Sequence, residues 1–304
     1  MYRRLALPLI VLLAAAGCGR QAPVRIGLAG PFSEPRGTSM RVAAELAVSE
    51  LNAGGGLRGR PVELVIMDDS STAEGAVTVA RELATDRSVV AVVGHLTSGA
   101  TLAAAPVYGG TSPVVVISPS ASNPRLSEAG PWVFRVCPTD AAHGARLAAW
   151  ARDHLRAARA AVMYTNDDYG RGVRDEFVAA FTAVGGEIVT NDPYLDDLPS
   201  FSPYLERLRR RGGADVLVIA GDRDGAARIL ATRESLRLNL PVVGADGLVG
   251  IEQLGSLANG IFISTPYLAD QPGAANATFV AAYRQAAGGQ LPDHRGPVPT
   301  TRSA

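Results

Sequence analysis

Residues 89–124, VVAVVGHLTSGATLAAAPVYGGTSPVVVISPSASNP, contain two continuous apolar runs of mostly β-branched residues, Val89–Val93 and Val114–Ile117. Runs that are apolar on both faces are typical of strands in a parallel sheet that helices cover on both sides. Each run is followed by a polar segment, residues 94–98 and residues 118–124. Open parallel sheets bind ligands beyond the carboxyl ends of their strands. This stretch therefore predicts an α/β fold with a binding site at one sheet edge.

Alternating strand and helix signals extend from this stretch in both directions. Before it, apolar runs predict strands at Val24–Ala29 and Val62–Met67, and helical spacing predicts helices at about Gly37–Asn52 and around Ala76–Leu83. After it the pattern repeats, with predicted strands at 160–164, from 187, at 216–220, 242–243 and 261–264, and predicted helices at 141–155, 177–184, 201–208 and 226–236. This alternation predicts βαβ units with right-handed crossovers and a parallel sheet.

Two successive blocks of this kind predict two Rossmann-like lobes with parallel sheets, joined by a hinge. We expect residues 24–137 together with 266–291 to form lobe 1, and residues 138–265 to form lobe 2. Residues 294–304 show no periodicity and contain two prolines. We therefore expect residues 292–304 to be a disordered tail.

Composition bounds the class of protein. The chain has 304 residues, of which 47% are hydrophobic and 19% charged, so it can bury a sizeable core. Its 29 basic and 29 acidic residues give a formal net charge of zero. Proteins that bind nucleic acid usually have a basic excess, so we expect no nucleic-acid partner. All 29 basic residues are Arg, which we interpret as a compositional bias of the genome.

The N-terminus predicts export. Arg3 and Arg4 form a positive region before the apolar segment Leu5–Ala16, which is too short to span a bilayer, so residues 1–17 are interpreted as a signal peptide. The small residues before Cys18 resemble a bacterial lipobox, in which the cysteine after the cleavage site receives lipid. Residues 18–23 would then be a tether, and the protein would be periplasmic or on the cell surface with a lipid anchor as its membrane attachment. The alternative is a plain secretory signal with an incidental cysteine.

Enzyme signatures are weak in this sequence. Residues 54–59 are Gly-rich but follow a helix, which does not fit a dinucleotide fingerprint. Ser98 follows a strand and opens a helix, but the glycine two residues before it that a nucleophile elbow needs is missing. Residues 166–168 lack the rest of a calcium loop and are interpreted as a capped turn. Cys137 is expected to be a buried apolar residue. We therefore predict no catalysis, cofactor or metal.

Polar residues at the predicted strand ends are the candidate ligand contacts. The segments that contain Ser98 and residues 120–122 (Ser120, Ala121 and Ser122) offer hydroxyl and N–H groups that can hold a carboxylate. Tyr169, Asp222 and Asp246 each follow a strand of the second block, and a carboxylate there can pair with an ammonium group. The alternative is that these serines and aspartates only cap helices or lie in solvated turns.

Seven segments together resemble the branched-chain amino-acid (Leu/Ile/Val) binding protein family, which has the type I periplasmic binding fold. They are IGLAGP (26–31), AELAVSELNAGG (44–55), DD (68–69), VGHLTS (93–98), ISPSASNP (117–124), DYG (168–170) and GADG (244–247). Their order and spacing cover the chain from Val24 to about Gly289. The resemblance implies a receptor that closes two lobes over an amino acid or a similar small polar ligand and presents it to an ABC permease.

The resemblance also implies roles for single residues. Ser98 matches the serine that binds the ligand carboxylate, and Ser120 and Ser122 match positions that add backbone and hydroxyl bonds to it. Tyr169 matches the aromatic residue that closes over the ligand. Asp246 matches the acidic residue that pairs with the ligand ammonium.

Four positions depart from the pattern of the family. Asp222 falls where leucine-type members have an aromatic residue, and Arg36 falls near another aromatic position. Both departures argue for a different ligand side chain. Ser71 and Thr97 stand where some members have paired cysteines, so that disulfide is absent.

The resemblance leaves the C-terminus unexplained. Members of the family continue well past Gly289, whereas the pattern here breaks at Pro292. We therefore expect a C-terminally shortened fold from a truncated or frameshifted gene, with apolar surface exposed on lobe 1. A ligand-sensing module of a regulatory system, a non-functional relic and a serine hydrolase that uses Ser98 are the alternatives to a transport receptor.

Overall fold

The computed structural model describes residues 22–195 and 197–292. The predicted signal peptide, Cys18 and residues 293–304 of the predicted tail lie outside the described residues. Within those two ranges, no helix combines the length and the apolar character that crossing a membrane requires.

Five parallel strands form the first sheet, in the order β2-β1-β3-β4-β5. The strands are β1 (Val24–Gly30), β2 (Val62–Asp68), β3 (Val89–Val93), β4 (Val115–Ser118) and β5 (Val133–Arg135). The helices on this sheet are α1 (Pro35–Ala53), α2 (Ala73–Thr85) and α3 (Ser98–Tyr108). We refer to this sheet and the helices packed on it as the first lobe.

A second sheet of five parallel strands follows, in the order β10-β9-β8-β6-β7. The strands are β6 (Arg159–Thr165), β7 (Glu187–Tyr194), β8 (Val216–Ala220), β9 (Val242–Gly244) and β10 (Ile261–Ile263). The helices on this sheet are α4 (Asp140–Asp153), α5 (Asp168–Ala183), α6 (Ser202–Arg210) and α7 (Arg223–Ser235). This sheet and its helices form the second lobe. The last helix, α8 (Ala274–Ala286), returns to the first lobe and packs against α1, where Tyr283 donates a hydrogen bond to Ser39 at 2.8 Å.

The second sheet is buried on both faces. On one face, Phe177 and Phe181 of α5 pack against Val162 and Val218. On the other face, Phe201, Leu205 and Ile229 pack against Leu217 and Ile219. Apolar contacts on both sides explain why β6 and β8 have continuous apolar sequences, as parallel strands between two helical layers do.

The first sheet is covered unevenly. Helices α2 and α3 bury one face, where Leu83 and Tyr108 pack against Val92 and Val116. On the other face the buried cluster is small and consists of Leu28, Met40 and Leu96. Large apolar side chains in or directly beside the strands of this lobe are exposed, among them Val90, Trp132, Phe134 and Val136.

The predicted fold class is confirmed, because both predicted sheets are present and all their strands are parallel. The element boundaries differ in places. The first helix begins two residues earlier than predicted, at Pro35, since proline is favoured in the first helical turn. The strand predicted from Glu187 runs to Tyr194, although its last residues are polar and include Pro193. A strand at the sheet edge tolerates such residues, and β7 is an edge strand.

Candidate functional site

One cleft of about 520 Å³ lies where the carboxyl ends of the two sheets face each other. In the first sheet the strand order reverses at β1, which has β2 on one side and β3 on the other. In the second sheet it reverses at β6, which has β7 on one side and β8 on the other. Ligands of open α/β sheets bind at such switch points. The lining residues are Glu34, Arg36, Ser71, Leu96, Thr97, Ser98, Gly99, Ser120, Thr165, Asp167, Asp168, Tyr169, Arg171, Asp222, Asp224, Asp246 and Gly247.

The first-lobe wall of the cleft is the N-terminus of α3. Thr97 caps this helix by accepting a hydrogen bond from the N–H of Ala100 at 3.3 Å. Ser98 begins the helix, and its hydroxyl accepts from the N–H of Asn123 at 3.3 Å. Free N–H groups and the helix dipole favour a negative charge at this end. The wall is therefore suited to hold the carboxylate of a ligand.

A buried network supports this wall from behind. His95 Nδ1 lies 2.5 Å from Asp69 Oδ2, and His95 Nε2 lies 3.1 Å from the Tyr108 hydroxyl, with all three side chains fully buried. The carbonyl of His95 accepts hydrogen bonds from Thr101 at 3.0 Å and from Ser118 at 2.6 Å. Burial and the nearby Asp69 raise the pKa of Tyr108, so its phenol stays protonated. The network fixes the loop between β3 and α3, which carries Thr97 and Ser98.

The second-lobe wall centres on a hydrogen-bonded pair, Tyr169 and Asp246. The Tyr169 hydroxyl donates to Asp246 Oδ1 at 2.8 Å and accepts from the N–H of Gly247 at 2.7 Å. Burial and the neighbouring Asp246 carboxylate raise the pKa of Tyr169 well above its usual range. Gly247 is needed here because a Cβ at this position would lie 2.2 Å from the carbonyl oxygen of Gly221. The pair leaves Asp246 as a hydrogen-bond acceptor at the cleft.

Two aspartates of this wall also cap helices. Asp167 accepts from the N–H of Gly170 at 2.6 Å, and Asp222 accepts from the N–H of Gly225 at 2.8 Å. The alternative that the sequence left open, a capping role for Asp222, therefore holds. It does not displace a binding role, because the same side chain lines the cleft.

The two lobes touch beside the cleft. Asn123 of the first lobe donates a hydrogen bond to the carbonyl of Asp168 on α5 at 2.5 Å. Arg125 Nη1 lies 3.3 Å from a carboxylate oxygen of Asp168. The backbone N–H of Asp140, at the start of the second lobe, donates to the carbonyl of Ser122 at 2.9 Å. These contacts between the two lobes hold the two walls of the cleft opposite each other.

Residues 23–296 match the family model described as periplasmic binding protein. The chain belongs to the periplasmic binding protein family. A "Leu/Ile/Val-binding protein homolog 1" from Brucella suis is 30% identical over 253 residues, which are 82% of this chain and 67% of that protein. The branched-chain amino acid substrate-binding protein LivJ of Streptococcus pneumoniae, solved with isoleucine, has a TM-score of 0.80 and 28% identity, over 90% of this chain and 79% of that one. An ABC transporter substrate-binding protein from Desulfitobacterium hafniense in complex with Leu has a TM-score of 0.75 and 28% identity, with the same coverage.

Five of the predicted contact residues meet at the cleft of this periplasmic binding protein. They are Ser98, Ser120, Tyr169, Asp222 and Asp246. Ala121 and Ser122 do not line it, because both are buried behind the first-lobe wall. The sequence analysis missed the lining residues Glu34, Thr165, Arg171 and Asp224. All four flank the predicted strand ends, so a search of every polar residue near a strand end would have included them.

Two other sequence predictions are resolved by the geometry. Cys137 was expected to be buried, but it is only partly buried since it lies in the crossing segment between the lobes. Burial and then Asp246 raise the pKa of its thiol to about 12, so the thiol stays protonated. The hydrolase alternative loses support because His95, three residues before Ser98, directs its two ring nitrogens at Asp69 and Tyr108. That histidine is not oriented to act as a general base for Ser98.

Proposed function

We propose that this protein is an extracytoplasmic solute-binding lipoprotein that captures an amino acid or a similar small polar ligand between its lobes and delivers it to an ABC importer. The observation that carries the proposal is the pairing of two complementary walls across one cleft. The N-terminus of α3 with Ser98 faces the ligand from the first lobe, and Asp246 with Tyr169 faces it from the second. The first wall suits a carboxylate and the second suits an ammonium group, which are the two charged groups of an amino acid.

The similar proteins support this assignment. The names of the Brucella relative and of the Streptococcus pneumoniae structure refer to branched-chain amino acids, and the two solved neighbours contain isoleucine and leucine. The Desulfitobacterium protein is described as part of an ABC transporter. We carry to this chain the class of ligand, an amino acid, and the transport role.

The two-lobed geometry supports ligand capture by closure of the lobes. A ligand that contacts both walls binds the closed arrangement better than the open one, so it shifts the population toward the closed form. The contacts of Asn123 and Arg125 with Asp168 join the lobes at the side of the cleft and would form as the lobes close. The closed form is then the one that a permease can distinguish from the empty receptor.

Thermal unfolding tests the binding function. The chain from Arg20 onward would be heated alone and with amino acids, amides and aromatic acids in turn. A ligand at about 100 times its Kd stabilises the native state by about 2.7 kcal/mol, which should raise the Tm by several degrees. Ser98→Ala is the variant that tests the site. It removes a hydroxyl from the carboxylate wall, so it should reduce the rise in Tm that the ligand causes. A cooperative transition that no amino acid moves, at concentrations up to tens of millimolar, would contradict the proposal.

Metabolic labelling tests the lipid anchor separately. Cells that express the full chain with an alkyne-bearing palmitate analogue should incorporate label into the protein, because a lipobox cysteine is acylated after cleavage. Cys18→Ser should abolish the label and release the protein from the membrane fraction, whereas Cys137→Ser should change neither. Equal labelling of the wild-type and Cys18→Ser chains would show that Cys18 is not the anchor.

A further inference from the structure

We propose that the ligand of this cleft has a second positive charge, as an amino acid with a cationic side chain such as lysine, ornithine or arginine does. The inference rests on the proposed function of the cleft and adds the chemistry of the ligand side chain. It follows from the charges that line the cleft and from which of them are already paired.

The cleft has an excess of negative charge. Its lining includes six carboxylates (Glu34, Asp167, Asp168, Asp222, Asp224 and Asp246) and two guanidinium groups (Arg36 and Arg171), a formal charge of −4. An amino-acid backbone is a zwitterion and leaves this excess unchanged. Low-dielectric walls strengthen the field inside a cleft, so a ligand with a net positive charge is favoured.

Both guanidinium groups of the lining are already engaged. Arg36 Nε lies 2.6 Å from Glu34 Oε2, and another nitrogen of Arg36 donates to Ser71 Oγ at 3.0 Å. Arg171 lies 3.1 Å from a carboxylate oxygen of Asp168, which also accepts from Arg125. A ligand with an acidic side chain would have to break one of these ion pairs to find a counter-charge.

Two carboxylates of the lining lack a cation. Within residues 22–195 and 197–292, no Arg or His nitrogen lies within 4.0 Å of a carboxylate oxygen of Asp222 or Asp246. They follow β8 and β9, which are neighbours in the second sheet. Neighbouring strands are about 4.8 Å apart, so the α-ammonium and the side-chain cation of one amino acid can reach both carboxylates. The α-ammonium of an amino acid neutralises Asp246 and leaves Asp222 for the second charge.

The cleft is poorly suited to an aliphatic side chain. Among the described residues that line it, Leu96 is the one aliphatic side chain and Tyr169 the one aromatic side chain. A leucine side chain placed there would remove water from Asp222 without replacing its hydrogen bonds, which is unfavourable. Leu96 and Tyr169 suffice to cover the methylene stem of lysine or arginine, whose charged end then reaches polar groups.

The structural alternative is that Asp222 serves only to cap α7. Asp222→Asn separates the two roles, since asparagine caps a helix about as well as aspartate but has no charge. Asp224→Asn is the matched control, because Asp224 lines the same cleft, lies two residues away and is 88% exposed at its side chain. A general electrostatic effect would respond to both substitutions, whereas a direct contact responds to the first.

Calorimetric titration with pairs of a charged and a neutral amino acid tests the inference. Lysine would be compared with norleucine, and arginine with citrulline, since each pair differs in the side-chain charge, and leucine would be included. We expect the charged member of each pair to bind at least about tenfold more tightly and Asp222→Asn to remove the difference, whereas Asp224→Asn, whose exposed charge is screened by water, should reduce it only slightly. If norleucine binds as tightly as lysine, citrulline as tightly as arginine, or leucine as tightly as either cation, the proposed preference for a cationic side chain is wrong while the receptor function stands. If no amino acid binds to the folded protein, both proposals fail.

Discussion

Asp246→Asn is expected to weaken binding of an amine-bearing ligand by about 100-fold or more. Asp246 is 6% exposed and accepts a hydrogen bond from Tyr169, and it faces the cleft without a cationic partner among the described residues. A ligand ammonium held there loses its water and depends on this one carboxylate. Removal of one partner of a buried charge pair typically costs about 3–5 kcal/mol, and each 1.4 kcal/mol changes an affinity tenfold. Titration with the tightest ligand from the thermal panel measures the loss.

The fold of this variant should survive, which makes the measurement interpretable. Asparagine has nearly the volume of aspartate, its side-chain oxygen can still accept from Tyr169, and the N–H of Gly247 bonds to Tyr169 instead of to Asp246. A ligand that lacks an amine should bind wild type and variant alike. An affinity for amino acids within threefold of wild type would remove Asp246 from the ammonium site.

The strands of this protein could be predicted because parallel strands between two helical layers are apolar on both faces. Residues 216–220, VLVIA, are all buried, and the sequence predicted these bounds correctly. Strand β7 was found only at its start, because an edge strand is partly solvated and its polar residues 190–192 hide the pattern. How much of a strand can be predicted from the sequence therefore depends on whether both of its faces are buried.

The site could be predicted only as far as strand ends could be placed. Ser98, Tyr169, Asp222 and Asp246 each follow a strand by a few residues, so the rule for parallel sheets identified them. Which side of a loop faces the cleft is set by tertiary packing. Ser122 faces away because its loop is held by Ser118, whose hydroxyl accepts from the N–H of Ala121 at 2.9 Å. No local pattern in residues 118–124 encodes that orientation.

Buried polar groups were the least predictable feature, since their pairing depends on residues far apart in the sequence. The contact between Asp69 and His95 joins the ends of two strands, and Ser264 lies 3.0 Å from the ring of His143, 121 residues away. Asp140 is a stronger case because its carboxyl group is fully buried and neither of its oxygens accepts a hydrogen bond from the described residues. The sequence offered only a helix start at this position.

Asp140→Asn is expected to stabilise the protein at alkaline pH and to have little effect in acid. The pKa of Asp140 is raised to about 7, because burial of the carboxyl group and the nearby Asp246 carboxylate raise it more than the facing Ser122 hydroxyl lowers it. Neither that hydroxyl nor the Asp140 oxygens reach good hydrogen-bond geometry among the described residues. The carboxyl group packs against α5 so tightly that a Cβ at Gly172 would lie 2.3 Å from Asp140 Oδ2. This packing excludes water from the charged form, which explains the direction of the pKa shift.

The sign of the pH dependence follows from linkage. Between the ordinary pKa of 3.8 and about 7, the folded protein keeps the proton of Asp140 while the unfolded chain has released it, so the free energy of unfolding falls as the pH rises. Above pH 7 the penalty is complete and amounts to up to about 4 kcal/mol, since one pKa unit corresponds to about 1.4 kcal/mol. Asparagine removes the penalty, so the variant should gain stability at pH 8 that disappears near pH 4.

Urea unfolding of wild type, Asp140→Asn and the exposed control Asp224→Asn, at several values between pH 4 and pH 8, measures this effect. The control should follow wild type at every pH. In the Asp246→Asn background the stability loss should be smaller and should be complete at a lower pH, because the neutral side chain no longer raises the pKa of folded Asp140, whereas the onset near pH 3.8 is set by the unfolded chain. Parallel pH profiles for wild type and Asp140→Asn would show that this carboxyl group titrates normally in the folded protein. A difference that grows with pH would instead identify Asp140 as an acid that keeps its proton in the folded protein up to about pH 7.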